Sequence, residues 1–183
     1  DFLPALVIDK FNDVYVIQTL SAGMDRWKKI ITEILMEDFG ASGVYERNDV
    51  PVRKLEGLEE IKGFLSPVTA TQFVINEKGV NFFLDIENGQ KTGFFLDQKE
   101  NRMAIQQIVK DKTVLDCFTY TGSFALFAAY YGAKHVTALD ISADAIALAN
   151  KNIGLNDFTN ITTICENAFD VLPVWAKEGK QFD

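Results

Sequence analysis

The sequence predicts an α/β protein: a small α+β module followed by the first three strands of a doubly wound parallel core. The stretch Thr113–Ile141, TVLDCFTYTGSFALFAAYYGAKHVTALDI, reads as strand, tight turn, small-residue helix and second strand. A further apolar run, Ile161–Ile164, returns after another helix, which is the alternation that builds a parallel sheet. Ahead of both, residues 1–87 show short strands around one amphipathic helix.

In chain order, Ala5–Asp9 and Val14–Leu20 are apolar runs joined by Lys10–Asp13, a hairpin pattern. A helix follows with Trp27, Ile30, Ile31, Ile34 and Leu35 at core-facing spacing, and Gly40 stops it. Val44–Arg47 is a short strand, and the polar stretch Pro51–Pro67 reads mostly as loop. Gln72–Ile75 and Val80–Ile86 flank Asn76-Glu77-Lys78-Gly79 as a second hairpin, whose return strand sets Val80, Phe82, Leu84 and Ile86 on one face. Residues 88–112 form a connection: Gly89 and Gly93 bracket a polar loop, and Asp97 with Glu100 reads as a capping box. The helix it opens carries Ala104, Ile105, Ile108 and Val109. Lys91, Thr92, Gln98 and Arg102 lie just ahead of the first core strand, either as linker polarity or as contacts to a ligand at its end.

The core occupies residues 113–183. Its first strand, Val114–Leu115, ends on Asp116, and the turn Cys117–Thr121 runs into Gly122. The helix Ser123–Tyr131 is closed by Gly132, where a left-handed residue is wanted. The second strand, Val136–Leu139, ends on Asp140. Ligands of such units sit at the carboxyl ends of the strands. An acid there can accept from both hydroxyls of a ribose, while the helix N-terminus suits an anionic group such as a carboxylate. A dinucleotide site needs G-x-G-x-x-G so that backbone can close on a pyrophosphate. Here Gly122 stands alone, with Phe118 and Tyr120 where small residues would be expected. S-adenosylmethionine carries no phosphate, and a wider turn lined by an aromatic and hydroxyls suits it better than NAD. A plain structural crossover is the alternative. Asp144–Asn152 is an amphipathic helix with Ala145, Ala149 and Ile153 toward the sheet, and it is assigned no chemistry.

The 183 residues carry 18 basic and 26 acidic side chains, a net charge of −8 that speaks mildly against a nucleic-acid grip within this stretch. Arg26, Lys28, Lys29, Arg53 and Lys54 read as solvated surface charge. No run of about 18 apolar residues suggests a membrane span. Cys117 and Cys165 read as buried, reduced thiols of a cytoplasmic protein, and His135 as a surface residue. No spacing suggests a metal. The absence of an initial Met and an end at Gln181-Phe182-Asp183, where a strand should begin, suggest part of a longer chain.

Gly89–Gln98, GQKTGFFLDQ, and Val114–Phe124, VLDCFTYTGSF, together resemble the rRNA large-subunit methyltransferase I family. That resemblance implies a truncated, Rossmann-like class I core, S-adenosylmethionine as cofactor, and methylation of carbon 5 of a cytosine in 23S rRNA. A sister family acting on N7 of guanine shares a similar turn, and a non-catalytic RNA-scaffolding fragment is the rival from another class. By the resemblance, Asp116, Phe118, Thr119, Tyr120 and Gly122 build the turn around the methionine part. Asp140 holds the ribose, Ile141 lies against the adenine, and Asn167 with Ala168 meets the adenine edge. Many relatives carry Asp at the position of Asn167, which reads equally as a helix cap. Lys91 and Gln98 approach the methionine end. The family's Asp-Pro-Pro motif and later catalytic cysteine are not found, the prolines being Pro4, Pro51, Pro67 and Pro173, so no catalytic residue is assigned. Class I sheets place a fourth strand beside the first. Without it, an open edge at Val114–Leu115 would favour a homodimer or swapped assembly.

Overall fold

The computed structural model describes residues 2–183, which fold as two compact units. The first comprises residues up to Ile75 together with Leu84–Leu96, and the second comprises Asn76–Phe83 and Asp97–Asp183. No helix among the described residues is long and apolar enough to cross a membrane.

In the first unit, β1 (Leu6–Phe11) and β2 (Val14–Thr19) pair antiparallel, β2 pairs parallel with β3 (Gly43–Asn48), and β3 pairs antiparallel with β4 (Ile61–Phe64). The first hairpin is tighter than its sequence suggests. Buried Phe11 keeps the strand going until Asn12 turns the chain at φ 55°. Between β2 and β3 run α1 (Ala22–Asp25), capped by the Ser21 hydroxyl, and α2 (Lys28–Glu37). Gly40 at φ 64° ends α2, with the Ala41 N–H reaching back to the Leu35 carbonyl at 3.0 Å. The buried side of α2 is narrower than expected. Leu35 and Ile31 pack on Tyr15, Ile17 and Val44, whereas Trp27, Ile30 and Ile34 are 56%, 45% and 43% exposed.

The stretch expected to be loop holds α3 (Val52–Leu55) and β4. The short strand Ile-Lys-Gly-Phe has no alternation to betray it, but its Phe64 ring meets Tyr45 edge-on at 4.9 Å. Of the expected surface charges, Arg53 is interior and Lys28 is half-buried. Arg53 is 2% exposed and donates to the Thr19 carbonyl, the Asp25 carboxylate and the Glu59 carbonyl. Lys28 pairs with buried Glu46 at 2.8 Å. A cation as deep as Arg53 persists because acceptors from three segments meet its guanidinium.

The second unit is built on a parallel sheet in the order β7 (Thr113–Cys117), β8 (His135–Asp140), β9 (Ile161–Cys165). All three strands run longer than their apolar runs, and His135, opening β8, is half-buried rather than exposed. Between β7 and β8 lies α6 (Ser123–Tyr130), apolar on every side and correspondingly buried from Ala125 to Ala129. It packs with Val109, Ala133, Val136 and Ala138. α7 (Ala143–Leu155) follows β8 and α8 (Ala168–Lys177) follows β9. The N-cap of the following helix is Gln98 rather than Asp97. A 3₁₀ turn over Leu96–Gln98 leads into α4 (Lys99–Ala104), whose N-cap Gln98 makes no side-chain cap bond, and a short α5 (Gln106–Val109) continues it. The outer side of β7 is engaged at its start: the Asp183 N–H donates to the Thr113 carbonyl at 3.0 Å, and its carboxylate accepts from the Thr113 N–H at 2.8 Å.

The second hairpin comprises β5 (Gln72–Glu77) and β6 (Val80–Asp85), turned by Lys78 and Gly79 at positive φ. Val80, Phe82 and Leu84 are buried, as their alternation requires, and Phe82 stacks on Phe127 of α6. Arg102 of α4, fully buried, makes a bidentate pair with Glu77 at 2.7 and 2.9 Å. Removing one partner of such a pair strands a desolvated charge. Glu77→Ala is therefore expected to lower stability by roughly 3–5 kcal/mol in urea unfolding. Lys29→Ala, which breaks an exposed pair with Glu33, should leave the midpoint essentially in place.

Candidate functional site

Parallel pairing brings the ends of β7, β8 and β9 to one edge, so Asp116, Asp140 and Cys165 lie on successive strands. The turn 118–122 closes over this edge. Its backbone is unusual, with Phe118 at φ 59°, Tyr120 at φ 51° and Gly122 at φ 82°. Left-handed conformations cost non-glycine residues of order 1–3 kcal/mol each, and they persist only where the surroundings fix them. Gly122 has a second reason to lack a side chain, since a Cβ there would lie 2.8 Å from Leu126 Cδ1 and 3.2 Å from Ala149 Cβ. The turn passes too close to α6 and α7 for anything larger.

Side chains from three elements hold the turn. Asp116 accepts from the Thr119 hydroxyl and from the Ala125 N–H at 3.0 Å. Asp140 accepts from the Tyr120 N–H at 2.8 Å and, through its other oxygen, from the Ser142 N–H at 2.9 Å. Asn152 of α7 donates to the Thr121 carbonyl at 2.9 Å. Backbone bonds from Thr119 to Leu139 and from Gly122 to Thr119 complete it.

Burial pushes the Asp116 carboxyl up to about 6. The donors Thr119 and Ala125 pull it back toward its ordinary value, and the charge of Asp140 adds to the rise. Burial and the nearby Asp116 charge likewise raise the half-buried Cys117 thiol. Cys165 is exposed rather than buried, with its sulfur 3.6 Å from the Ile141 carbonyl oxygen.

The rim is apolar. Phe118, Ile141 and Phe169 are 63%, 67% and 77% exposed, and the two phenyl rings lie 6.0 Å apart. Asn167 is the N-cap of α8, its side chain accepting from the Phe169 N–H at 3.0 Å, so the capping alternative holds. Ala168 beside it is buried. Thus Asp116, Phe118, Thr119, Tyr120, Gly122, Asp140, Ile141 and Asn167 lie on the strand ends and the loops that follow them, and Ala168 opens α8.

The connecting segment behaves differently. Gln98 opens α4 and accepts from Asn101. Lys91 belongs to the first unit, with its ammonium 4.3 Å above the Phe95 ring. Thr92 is buried there on Asp9, and Arg102 is spent on Glu77, so neither is a surface contact. Asn152, Ser142 and Phe169 were not singled out by the sequence pattern. For Asn152 a signal exists: it sits seven residues after Ala145 and three after Ala149, a polar residue on a helix face that must be buried. Among the described residues no cluster of three or more His, Cys, Asp or Glu could hold a metal.

A family model described as S-adenosylmethionine-dependent methyltransferase matches residues 58–181. The chain is 45% identical over 186 residues to ribosomal RNA large subunit methyltransferase I of Pseudoalteromonas translucida, across all of this chain and 47% of that protein. It thus spans about half the length of the curated relatives it matches. A SAM-dependent methyltransferase structure from Streptococcus mutans superposes with a TM-score of 0.82 at 23% identity, covering 98% of this chain and 46% of that one. A methyltransferase complexed with SAH gives 0.83 at 24% identity, again over 98% and 46%. At these identities the structural likeness establishes the fold.

The raised Asp116 carboxyl has a consequence for stability. Unfolded, an aspartate titrates at about 3.9; folded, this one titrates at about 6. Between those values the folded chain binds more protons, so its contribution to stability falls as pH rises through the window and stays level above it. Asp116→Asn keeps an acceptor for the Ala125 N–H but does not titrate. Urea unfolding at pH 4.5, 5.5 and 7 should show the variant gaining on the parent as pH rises; a difference independent of pH would contradict the burial of this carboxyl.

Proposed function

Because the chain belongs to the S-adenosylmethionine-dependent methyltransferase family, we propose that the carboxyl edge of β7, β8 and β9 holds S-adenosylmethionine for methyl transfer to a base of large-subunit rRNA, at carbon 5 of a cytosine. The observation that carries the cofactor reading is the acid pair. Asp116, one residue before the end of β7, and Asp140, at the end of β8, lie on adjacent strands, and the Ala125 N–H near the start of α6 is already taken by Asp116. A pyrophosphate would meet two carboxylates and one donor fewer, whereas an α-ammonium and a sulfonium carry the opposite charge. When bound, S-adenosylmethionine supplies the methyl group on a positively charged sulfur.

The residues take distinct parts. Asp140, already oriented by the Tyr120 and Ser142 N–H groups, keeps acceptor capacity for the ribose hydroxyls. Ile141 and Phe169 offer exposed apolar surface to the adenine. Thr119 and Tyr120 line the methionine side, and Lys91 and Gln98 are assigned to the methionine end by resemblance. The rRNA substrate is supported by the names of the curated relatives, which are ribosomal RNA large subunit methyltransferases. Such a substrate belongs to the cytoplasm. Methylating carbon 5 of cytosine requires a thiolate to add to carbon 6. Cys117 lies on β7 under the cofactor turn and Cys165 beside the adenine side, so neither is assigned that part.

Calorimetry with S-adenosylhomocysteine tests the cofactor site. Asp140→Ala should weaken binding by roughly 1.5–3 kcal/mol, the range for hydrogen bonds to a charged acceptor. Equal affinity would remove Asp140 from the site, and tighter binding of NAD than of S-adenosylhomocysteine would overturn the cofactor assignment.

A further inference from the structure

Asn152 is fully buried, and both ends of its amide are engaged. Its Nδ2 donates to the Thr121 carbonyl at 2.9 Å, and its Oδ1 accepts from the Phe83 N–H of β6 at 2.7 Å. One helical turn later Asn156 brackets Asn81 of the same strand, accepting from its N–H and donating to its carbonyl, each at 2.8 Å. Asn81 and Phe83 are alternate residues of β6, so Asn152 of α7 and Asn156 at its C-cap serve this stretch as a neighbouring strand would. The Glu77–Arg102 pair and the Phe82–Phe127 stack fix the same hairpin tip.

The peptide that Asn152 grips adjoins a glycine, and its plane is fixed by its hydrogen bonds. Thr121–Gly122 precedes a glycine, which tolerates either sign of φ, and it follows Tyr120 at a strained φ of 51°. Its N–H is held by the Thr119 carbonyl at 2.9 Å, and its carbonyl by Asn152. A leucine could fill the same space with no polar atom to satisfy. An amide here does what a leucine cannot: it fixes the direction of one peptide plane.

We propose that Asn152 is a positioning residue for cofactor binding, holding the Thr121–Gly122 peptide and coupling the turn 118–122 to the tip of hairpin β5–β6. The proposal rests on the cofactor reading above. With Asn152 in place, the turn is ordered before the ligand arrives, and the ordering cost is not charged against affinity. Coupling is reciprocal, so a ligand that settles the turn also tightens the Phe83 N–H through the same amide.

Two measurements on the 183-residue protein test this. Asn152→Asp keeps an acceptor for the Phe83 N–H but sets an oxygen against the Thr121 carbonyl. S-adenosylhomocysteine should bind it at least about tenfold more weakly by calorimetry, the scale of one unsatisfied buried polar group. In amide hydrogen exchange, protection at Tyr120 and Gly122 should fall while Asn81 and Phe83 keep theirs, a pattern that general destabilisation does not give. The second measurement needs no substitution: saturating S-adenosylhomocysteine should slow exchange at Phe83 and leave Gly79, at the hairpin turn, unchanged. Parental affinity in Asn152→Asp, or unaltered Phe83 exchange on binding, overturns this proposal alone. No binding of S-adenosylhomocysteine by the unmodified protein overturns the cofactor reading and the proposal with it.

Discussion

Phe118 and Tyr120 sit at positive φ because Asp116, Asp140 and Asn152, from two strands and a helix, hold the backbone around them. Most of the second unit depends on this constraint. The turn can pass close to α6 and α7 only with glycine at 122, and Asp116 takes the Ala125 N–H in the first turn of α6. The same bonds leave the carboxylates of Asp116 and Asp140 near one another at the sheet edge. That proximity contributes to raising Asp116 and gives the edge a negative character suited to a cationic ligand. Geometry and electrostatics here have one origin.

The core was legible in the sequence where its pattern is local. Strand, turn, small-residue helix and strand over Thr113–Ile141 follow from apolar runs ending on Asp116 and Asp140, with Gly132 past the helix. The site residues of that stretch come together because parallel strands present their ends to one side. Asn152 was not legible by the same means. Its partners Thr121 and Phe83 are 31 and 69 positions away, and periodicity says only that its position faces inward. The start of α4 was displaced from Asp97 for a related reason: a 3₁₀ turn over Leu96–Gln98 moves the N-cap to Gln98.

The first unit shows a different limit. Charge alone marks Arg53 and Lys28 as surface residues, yet each is drawn inward by a partner contributed by another element, Asp25 for one and Glu46 for the other. Burial of a cation is decided by whether its donors can all be met, and that depends on tertiary placement. The opposite error occurs on α2. Five apolar residues suggest one broad face, but the sheet beneath reaches Ile31 and Leu35 and leaves Trp27, Ile30 and Ile34 outside. β4 escaped notice because four residues with a central glycine carry no alternation, and pairing with β3 supplies what the segment lacks.

The central claim is that the edge formed by the ends of β7, β8 and β9 is the S-adenosylmethionine site. Backbone amide shifts of the labelled protein, followed while S-adenosylhomocysteine is added, test it most directly. The largest changes are expected at Phe118–Gly122, Asp140–Ser142 and Asn167–Phe169, with Asp9–Tyr15 of the first hairpin unmoved. Saturable changes centred elsewhere, or none at these residues, would contradict it.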